Sequence, residues 1–179
     1  MLYNESLWIK KNLSKLPLSP GARILNLGSS TLRFRTIDQP YISENVFLPL
    51  LKRGCSIINA DKKKEDGVDR IIDIEHSSSK EQFDLVLCTN LLEHVYNIKD
   101  AARRVTDWVR PGGYLLITVP HLFPHHEDPI DNGFRPSRKD LEKLFLHKRV
   151  LKSAIIRDRF PNEFFCKYKV SVLLLQVLA

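Results

Sequence analysis

Apolar side chains fall into two kinds of pattern along the chain. Arg23–Leu27, Ser56–Ala60, Phe83–Cys88 and Tyr114–Val119 are short runs bounded by Gly, Asp or polar residues. Phe83–Cys88 is almost continuously apolar, as expected for a central strand covered on both faces. Leu2, Leu7, Leu13 and Leu16, with Trp8 and Ile9, approximate one face of a helix that ends before Pro17. Ala101, Ala102, Val105, Trp108 and Val109 predict a second amphipathic helix over Lys99–Val109. Ser137 reads as the N-cap of a third, Arg138–Leu146. Glu44–Arg53 reads as helical up to Gly54, despite Pro49, and Leu32–Ser43, which contains Pro40, reads as irregular. Arg70–Ile72, Val150–Ile156 and Lys169–Leu178 complete seven expected strands, and Pro111-Gly112-Gly113 reads as a turn. Strands interleaved with helices predict an α/β layered sheet.

Bulk composition narrows this picture. With 179 residues, 43% of them apolar, the chain has enough core for one domain and is too apolar for wholesale disorder. No repeat or internal boundary is visible, so residues 1–179 are read as a single domain. The formal charge of +7 is uneven: residues 135–179 carry 11 basic and 4 acidic side chains, and the rest carry 17 of each. That excess is read first as a solvated face and second as a surface for an anionic partner. Cys55, Cys88 and Cys166 are odd in number and widely spaced, which disfavours a zinc module and fits reduced thiols. The first 16 residues lack a signal-peptide core. The last apolar stretch, Val170–Ala179, is shorter than the roughly 20 residues a bilayer requires. A soluble, cytoplasmic protein without a transmembrane segment is expected.

Candidate chemistry clusters at strand ends. Gly28-Ser29-Ser30 closes the first strand, where a glycine lets a ligand approach the backbone. Only one glycine of a dinucleotide GxGxxG motif is present. Asp61 closes the second strand, where a carboxylate can accept both hydroxyls of a ribose, and Asp73 closes the third, within reach of an adenine amino group. Thr89-Asn90-Leu91-Leu92-Glu93-His94-Val95 follows the central strand. Four polar strand ends on one sheet edge describe a nucleoside pocket.

The segments Ile24-Leu25-Asn26-Leu27-Gly28-Ser29-Ser30, Asn59-Ala60-Asp61, Phe83–Val95 and Val109–Pro120 resemble class I S-adenosylmethionine-dependent methyltransferases, most closely the type 11 domain. The resemblance spans roughly residues 20–147. It implies a Rossmann-like seven-stranded sheet, its last strand antiparallel, with helices on both faces. It implies an N-terminal helix and turn over 1–19, a cofactor-binding half over 20–119, and an acceptor loop with C-terminal strands over 120–179. It implies S-adenosylmethionine as cofactor, held by Asn26, Gly28, Ser29, Ser30, Asp61, Asp73, Ile74, Thr89, Asn90 and Leu91. Pro111-Gly112-Gly113 is then a structural turn, and Glu93 and His94 begin a helix at the pocket rim. The chain departs from the common first motif, which has an acid where Asn26 stands and glycines where Ser30 and Leu32 stand.

The long segment Pro120–Pro136 resembles the lid and acceptor site of type 11 relatives. His125 or His126 could act as general base on a hydroxyl acceptor. Arg135 could clamp an anion. His94, His121, Asp128 and Arg135 are assigned to the acceptor. His121, His125, His126, Glu127 and Asp128 include metal-ligating types, but clustering alone does not set a coordination geometry, and no metal is assigned. No Asp/Asn-Pro-Pro-Tyr/Phe segment follows the central strand, which argues against amino-methylating DNA enzymes. The leading expectation is O-methylation of a small molecule or saccharide. The alternatives are nucleic-acid or phospho-glycan methylation through the basic C-terminal region, and a non-catalytic binding module. Oligomeric state is not legible.

Overall fold

A computed structural model describes residues 1–77, 80–126, 130–158 and 167–178. Seven strands form one sheet in the order β3-β2-β1-β4-β5-β7-β6. They are β1 (Arg23–Leu27), β2 (Ser56–Asp61), β3 (Arg70–Ile71), β4 (Phe83–Thr89), β5 (Val109–Leu122), β6 (Arg149–Asp158) and β7 (Tyr168–Gln176). Strands β1 to β5 pair in parallel, and β7 runs antiparallel to both β5 and β6. The Rossmann-like sheet with an antiparallel last strand is thus the architecture observed.

The period-2 side-chain alternation of each strand divides the core into two layers. On one face Ile24, Leu85, Leu87, Leu116 and Leu174 pack with Ile9 and Leu13 of α1 (Tyr3–Leu13) and with Val46 and Leu50. On the other face Leu25, Leu27, Val86, Cys88, Leu115 and Ile117 pack with Ala101, Ala102 and Val105 and with Leu141 and Phe145. Leu25, Leu85, Val86, Leu115, Leu116 and Ile117 have no exposed surface. Burying one such side chain contributes about 1.5–3 kcal/mol, so the apolar runs are the stability of the sheet. Cys88 is fully buried among them, and burial drives its thiol pKa strongly upward.

Three local readings are corrected. First, the segment expected to be irregular at 32–43 is largely helical: Phe34–Asp38 forms a π turn and α2 covers Pro40–Ile42. Pro40 starts this new turn instead of breaking one, because the first helical position needs no amide donor. The expected helix 44–53 then begins as a π turn, Ser43–Phe47, and becomes α3 (Leu48–Lys52), with Pro49 again in the first turn. Second, Pro111-Gly112-Gly113 does not separate β5 from what precedes it. The ladder passes from Phe83↔Val109 to Leu85↔Tyr114, so Arg110–Gly113 is a bulge within one strand. Third, Glu93 and His94 sit in a 3-10 turn, Leu92–His94, and the next helix, α4 (Ile98–Asp107), starts only after Asn97 caps it by accepting the Asp100 amide.

The helix α5 (Arg138–Leu144) is capped by Ser137, as its sequence predicts. β6 is one edge of the sheet and β3 the other. The exposed Arg149, Lys152 and Arg157 of β6 are the charges that keep an edge strand from pairing with another chain. No helix among the described residues is long and apolar enough to cross a membrane.

Candidate active site

The parallel strands deliver their carboxyl ends to one edge, and a cavity of about 460 Å³ opens there. That size lies within the roughly 300–1,000 Å³ of small-molecule sites. Asn26, Gly28, Ser29, Ser30, Asp61, Asp73, Ile74, Thr89, Asn90 and Leu91 all line it, so every residue assigned to the cofactor converges on one space. His94 and His126 line it too.

The loop after β1 turns on a single glycine. Gly28 has φ +65, and a Cβ there would lie 2.9 Å from Leu91 Cδ1. Ser30 also takes a left-handed φ, of 55°, where a glycine would be at ease and a serine is strained. The strain is held by neighbours. The Ser30 amide donates to Asp61 Oδ2 at 2.9 Å, and the Ser29 amide donates to the Ala60 carbonyl at 3.0 Å. The Arg35 guanidinium, only 4% exposed, donates to the carbonyls of Ser29 (2.9 Å), Ser30 (2.6 Å) and Gly67 (2.8 Å). Burial lowers the Arg35 pKa, and Asp69, Asp61 and Asp66 oppose that. An arginine from the segment read as irregular thus clamps the loop after β1; no periodicity in the sequence marks it.

Asn26 pairs with its strand neighbour: its Nδ2 donates to Asn59 Oδ1 at 3.0 Å, and the two residues are register partners on β1 and β2. The neutral pair stands where the resemblance implied an acid. Asp73 lines the cavity, but its carboxylate is engaged locally. The Glu75 amide donates to Oδ1 at 2.9 Å, and His76 Nδ1 meets Oδ2 at 3.1 Å. Burial pushes Asp73 up, but the Glu75 amide and His76 outweigh it and hold its pKa below the ordinary carboxylate value. Asn90, with φ +49, donates from its amide to Thr118 and from Nδ2 to Glu5 Oε1 at 3.0 Å. Glu5 is fully buried and also accepts the Leu2 amide. The N-terminal helix therefore closes one wall of the cavity, a role its polar residues did not announce.

Asn132 ties the segment after β5 to the turn after β4. Its Nδ2 donates to the carbonyls of Leu92 (2.9 Å) and Val95 (2.7 Å), and its amide donates to Glu93 O at 2.8 Å. Only the Asn132-Gly133 turn signal hinted at it. The staple brings His126 beside His94, their rings edge to face at 5.1 Å between centroids. Asp131, whose side chain has no exposed surface, accepts from Arg135 on both oxygens, and Oδ2 also faces His126 Nδ1 at 3.2 Å. The Arg135 guanidinium hydrogen-bonded to Asp131 holds that carboxyl far below the usual range.

The other acceptor-side assignments disperse. His125 is 63% exposed, does not line the cavity, and lies 3.5 Å from Asp131 Oδ2. His121 Nδ1 meets the Pro136 carbonyl at 2.9 Å, away from the cavity lining. Arg135 is spent on Asp131. Asp128 and Glu127 lie outside the described residues. Glu93, absent from the assignments, also lines the cavity. It is 1% exposed, and burial raises its carboxyl to about 8, with Glu5 and Asp131 adding to the rise and its own amide and Arg135 opposing it. Neither of its oxygens has a hydrogen-bond partner among the described residues.

A family model described as a methyltransferase domain, type 23 rather than the expected type 11, matches residues 8–168. No curated relative matches in sequence. Among solved structures, the chain is similar to a putative methyltransferase complexed with the Trm112 methyltransferase activator of Haloferax volcanii (TM-score 0.66, 13% identity, covering 98% of this chain and 92% of that one). It is also similar to the N-methyltransferase NodS of Bradyrhizobium japonicum bound to S-adenosyl-L-homocysteine (0.62, 11%, 98% and 85%). A third is the 1,6-didemethyltoxoflavin-N1-methyltransferase of Burkholderia thailandensis with its acceptor and S-adenosylhomocysteine (0.62, 16%, 98% and 77%). At such identities the structures speak for the fold, and the family match carries the assignment. With the motifs, the sheet order and the family match in agreement, the chain belongs to the class I S-adenosylmethionine-dependent methyltransferases.

Proposed function

We propose that this methyltransferase methylates a hydroxyl oxygen of a small molecule or saccharide. The observation that carries the reading is the continuity of the cavity. One space is lined both by the strand-edge residues around Gly28 and Asp61 and by Glu93, His94 and His126. S-adenosylmethionine, when bound, supplies a methyl group on a sulfonium that is already a good leaving group. Positioning therefore provides much of the rate.

Gly28 leaves room for the donor against the backbone, and Asp61 offers carboxylate oxygen to its ribose. Ile74 and Leu91 give apolar walls, and Asn90 closes the edge. An acceptor hydroxyl also needs a proton acceptor. His126 is the candidate, because Asp131 faces its Nδ1 and fixes the ring, as an orienting carboxylate does in acid–base pairs. In the reaction the O–CH₃ bond forms, the C–S bond breaks, and the hydroxyl proton passes to the base.

Calorimetric titration with S-adenosylmethionine, followed by mass spectrometry over a panel of phenols, sugars and amines, tests this. Saturable donor binding and a gain of one CH₂ on hydroxyl acceptors are expected; transfer to amines alone would refute it. A nucleic-acid acceptor is the second reading, favoured by the exposed Arg149, Lys152 and Arg157 on β6. Affinity for RNA or DNA that falls steeply with salt would support it.

A further inference from the structure

We propose that Glu93, His94 and His126 form a binding site for a divalent transition-metal ion, with an open coordination position facing the donor cavity. One ligand atom from each residue lies within 4.8 Å of the others. His94 Nε2 is already 3.8 Å from Glu93 Oε1. A tetrahedral ion with bonds of about 2.0–2.1 Å separates its ligand atoms by roughly 3.3 Å, so side-chain rotation closes the gap.

Two further observations point to a cation. Each imidazole has its Nδ1 set against an acceptor: His94 against the Ile130 carbonyl, and His126 against Asp131 Oδ2 (3.2 Å) and the Pro124 carbonyl (3.3 Å). Metal-bound histidines are held in this way, by a carboxylate or carbonyl on the nitrogen remote from the metal, which turns Nε2 to the ion. Independently, the Glu93 carboxyl is 1% exposed and has no hydrogen-bond partner among the described residues. A buried carboxyl without a partner is costly, and a cation between it and the two rings would supply the missing interaction. Two imidazoles and one carboxylate suit Zn²⁺, Mn²⁺, Co²⁺ or Fe²⁺ better than Ca²⁺ or Mg²⁺, and three protein ligands leave a position for an acceptor oxygen.

The site stands on these contacts alone; its chemical use rests on the hydroxyl-methylation reading. With the ion bound, His126 is a ligand instead of a base. A hydroxyl on the ion loses its proton to solvent. Its oxygen then attacks the methyl carbon, and the C–S electron pair returns to sulfur, leaving a methyl ether and a thioether.

The experiment is calorimetric titration of the chelator-stripped full chain with Zn²⁺ and with Mn²⁺, alongside S-adenosylhomocysteine titration of the same sample. One ion per chain is expected, with affinity falling about ten- to a hundredfold in His126→Ala and in Glu93→Gln, and also in Asp131→Asn, which keeps all three ligands but weakens the carboxylate that faces His126 and pairs with Arg135. His147→Ala, a distant exposed histidine, is expected to bind the ion like the parent. Thermal unfolding checks that each variant folds; if Glu93→Gln does not, the half-exposed His126 carries the test. Absence of stoichiometric binding, or equal affinity in parent and variants, overturns the site. S-adenosylhomocysteine binding without ion binding sinks the metal site and leaves the methyltransferase reading standing. Transfer to a hydroxyl acceptor undiminished by chelator would overturn the ion's part in the chemistry.

Discussion

Replacing Arg35 by alanine tests whether an arginine clamp substitutes for the missing glycines of the cofactor loop. Its guanidinium makes three hydrogen bonds to carbonyls, at 2.6–2.9 Å, from a site only 4% exposed. Hydrogen bonds involving a charged group contribute about 1.5–3 kcal/mol each, but three on one guanidinium do not simply add, because all three share the cost of burying one cation. That cost is real here, since burial lowers the Arg35 pKa. The balance is a loss of roughly 2–4 kcal/mol of stability in Arg35→Ala, at the upper end of single-site effects. Part of that loss is local. Ser30, at φ 55, holds a conformation that costs a non-glycine residue on the order of 1–2 kcal/mol, and without the clamp it can relax. If 1.4 kcal/mol of the loss appears as loop relaxation, the binding-competent loop becomes about tenfold rarer and the apparent Kd rises by the same factor. Urea unfolding and calorimetric titration with S-adenosylhomocysteine measure the two parts separately. Ser30→Gly in the Arg35→Ala background is expected to restore much of the affinity but little of the stability, because glycine relieves the dihedral without replacing the hydrogen bonds. Parent-like affinity in Arg35→Ala, within twofold, would show that the loop keeps its shape without the clamp and would refute the reasoning.

Gly28→Ala is expected to weaken S-adenosylhomocysteine binding by more than about tenfold, with the positive φ as the main cost. Leu91 Cδ1, 2.9 Å from the added methyl, belongs to a flexible side chain, so Leu91→Ala should not rescue binding in calorimetry. Asn132→Ala removes two donated hydrogen bonds, to Leu92 and Val95, and should cost about 1–3 kcal/mol in urea unfolding. It should also raise KM for the acceptor more than Kd for the donor, because it frees the segment that carries His126. Asp84 is pushed up by burial but held lower overall by the Arg23 amide and Arg110. A carboxyl whose folded pKa lies below its unfolded value of about 3.9 stabilises the fold above that pH. Its contribution should fade as pH drops through the unfolded and then the folded pKa, and Asp84→Asn should flatten the fall in urea midpoint between about pH 5 and pH 3.

Read from the chain alone, the strands were legible because burial on both faces demands continuous apolar residues. Arg23–Leu27 and the Phe83–Cys88 run appear almost residue for residue, and the polar strand ends meet in one cavity as the parallel topology requires. The helix start capped by Ser137 is local chemistry and equally readable, whereas the apolar pattern placed the other helix one residue late because it passed over the Asn97 cap. The 32–43 segment was misread because proline breaks a helix only in its interior, and sequence does not say where a turn begins. The site itself was half legible. The family segments place the donor side, but the partners that set the shape of the loop are remote in the chain. Arg35 reaches Gly67 across 32 positions and Glu5 reaches Asn90 across 85. Glu93 and His94 meet His126 only because Asn132 pins one loop on another. Hydrophobic periodicity is a property of neighbours along the chain, so sequence alone determined the sheet, its layers and the edge where the cavity opens. Hydrogen bonds and charge pairing depend on distance through space, which only the folded chain fixes. The tertiary structure therefore decided which arginine clamps the loop, which carboxyl is buried without a partner, and which histidines share its pocket.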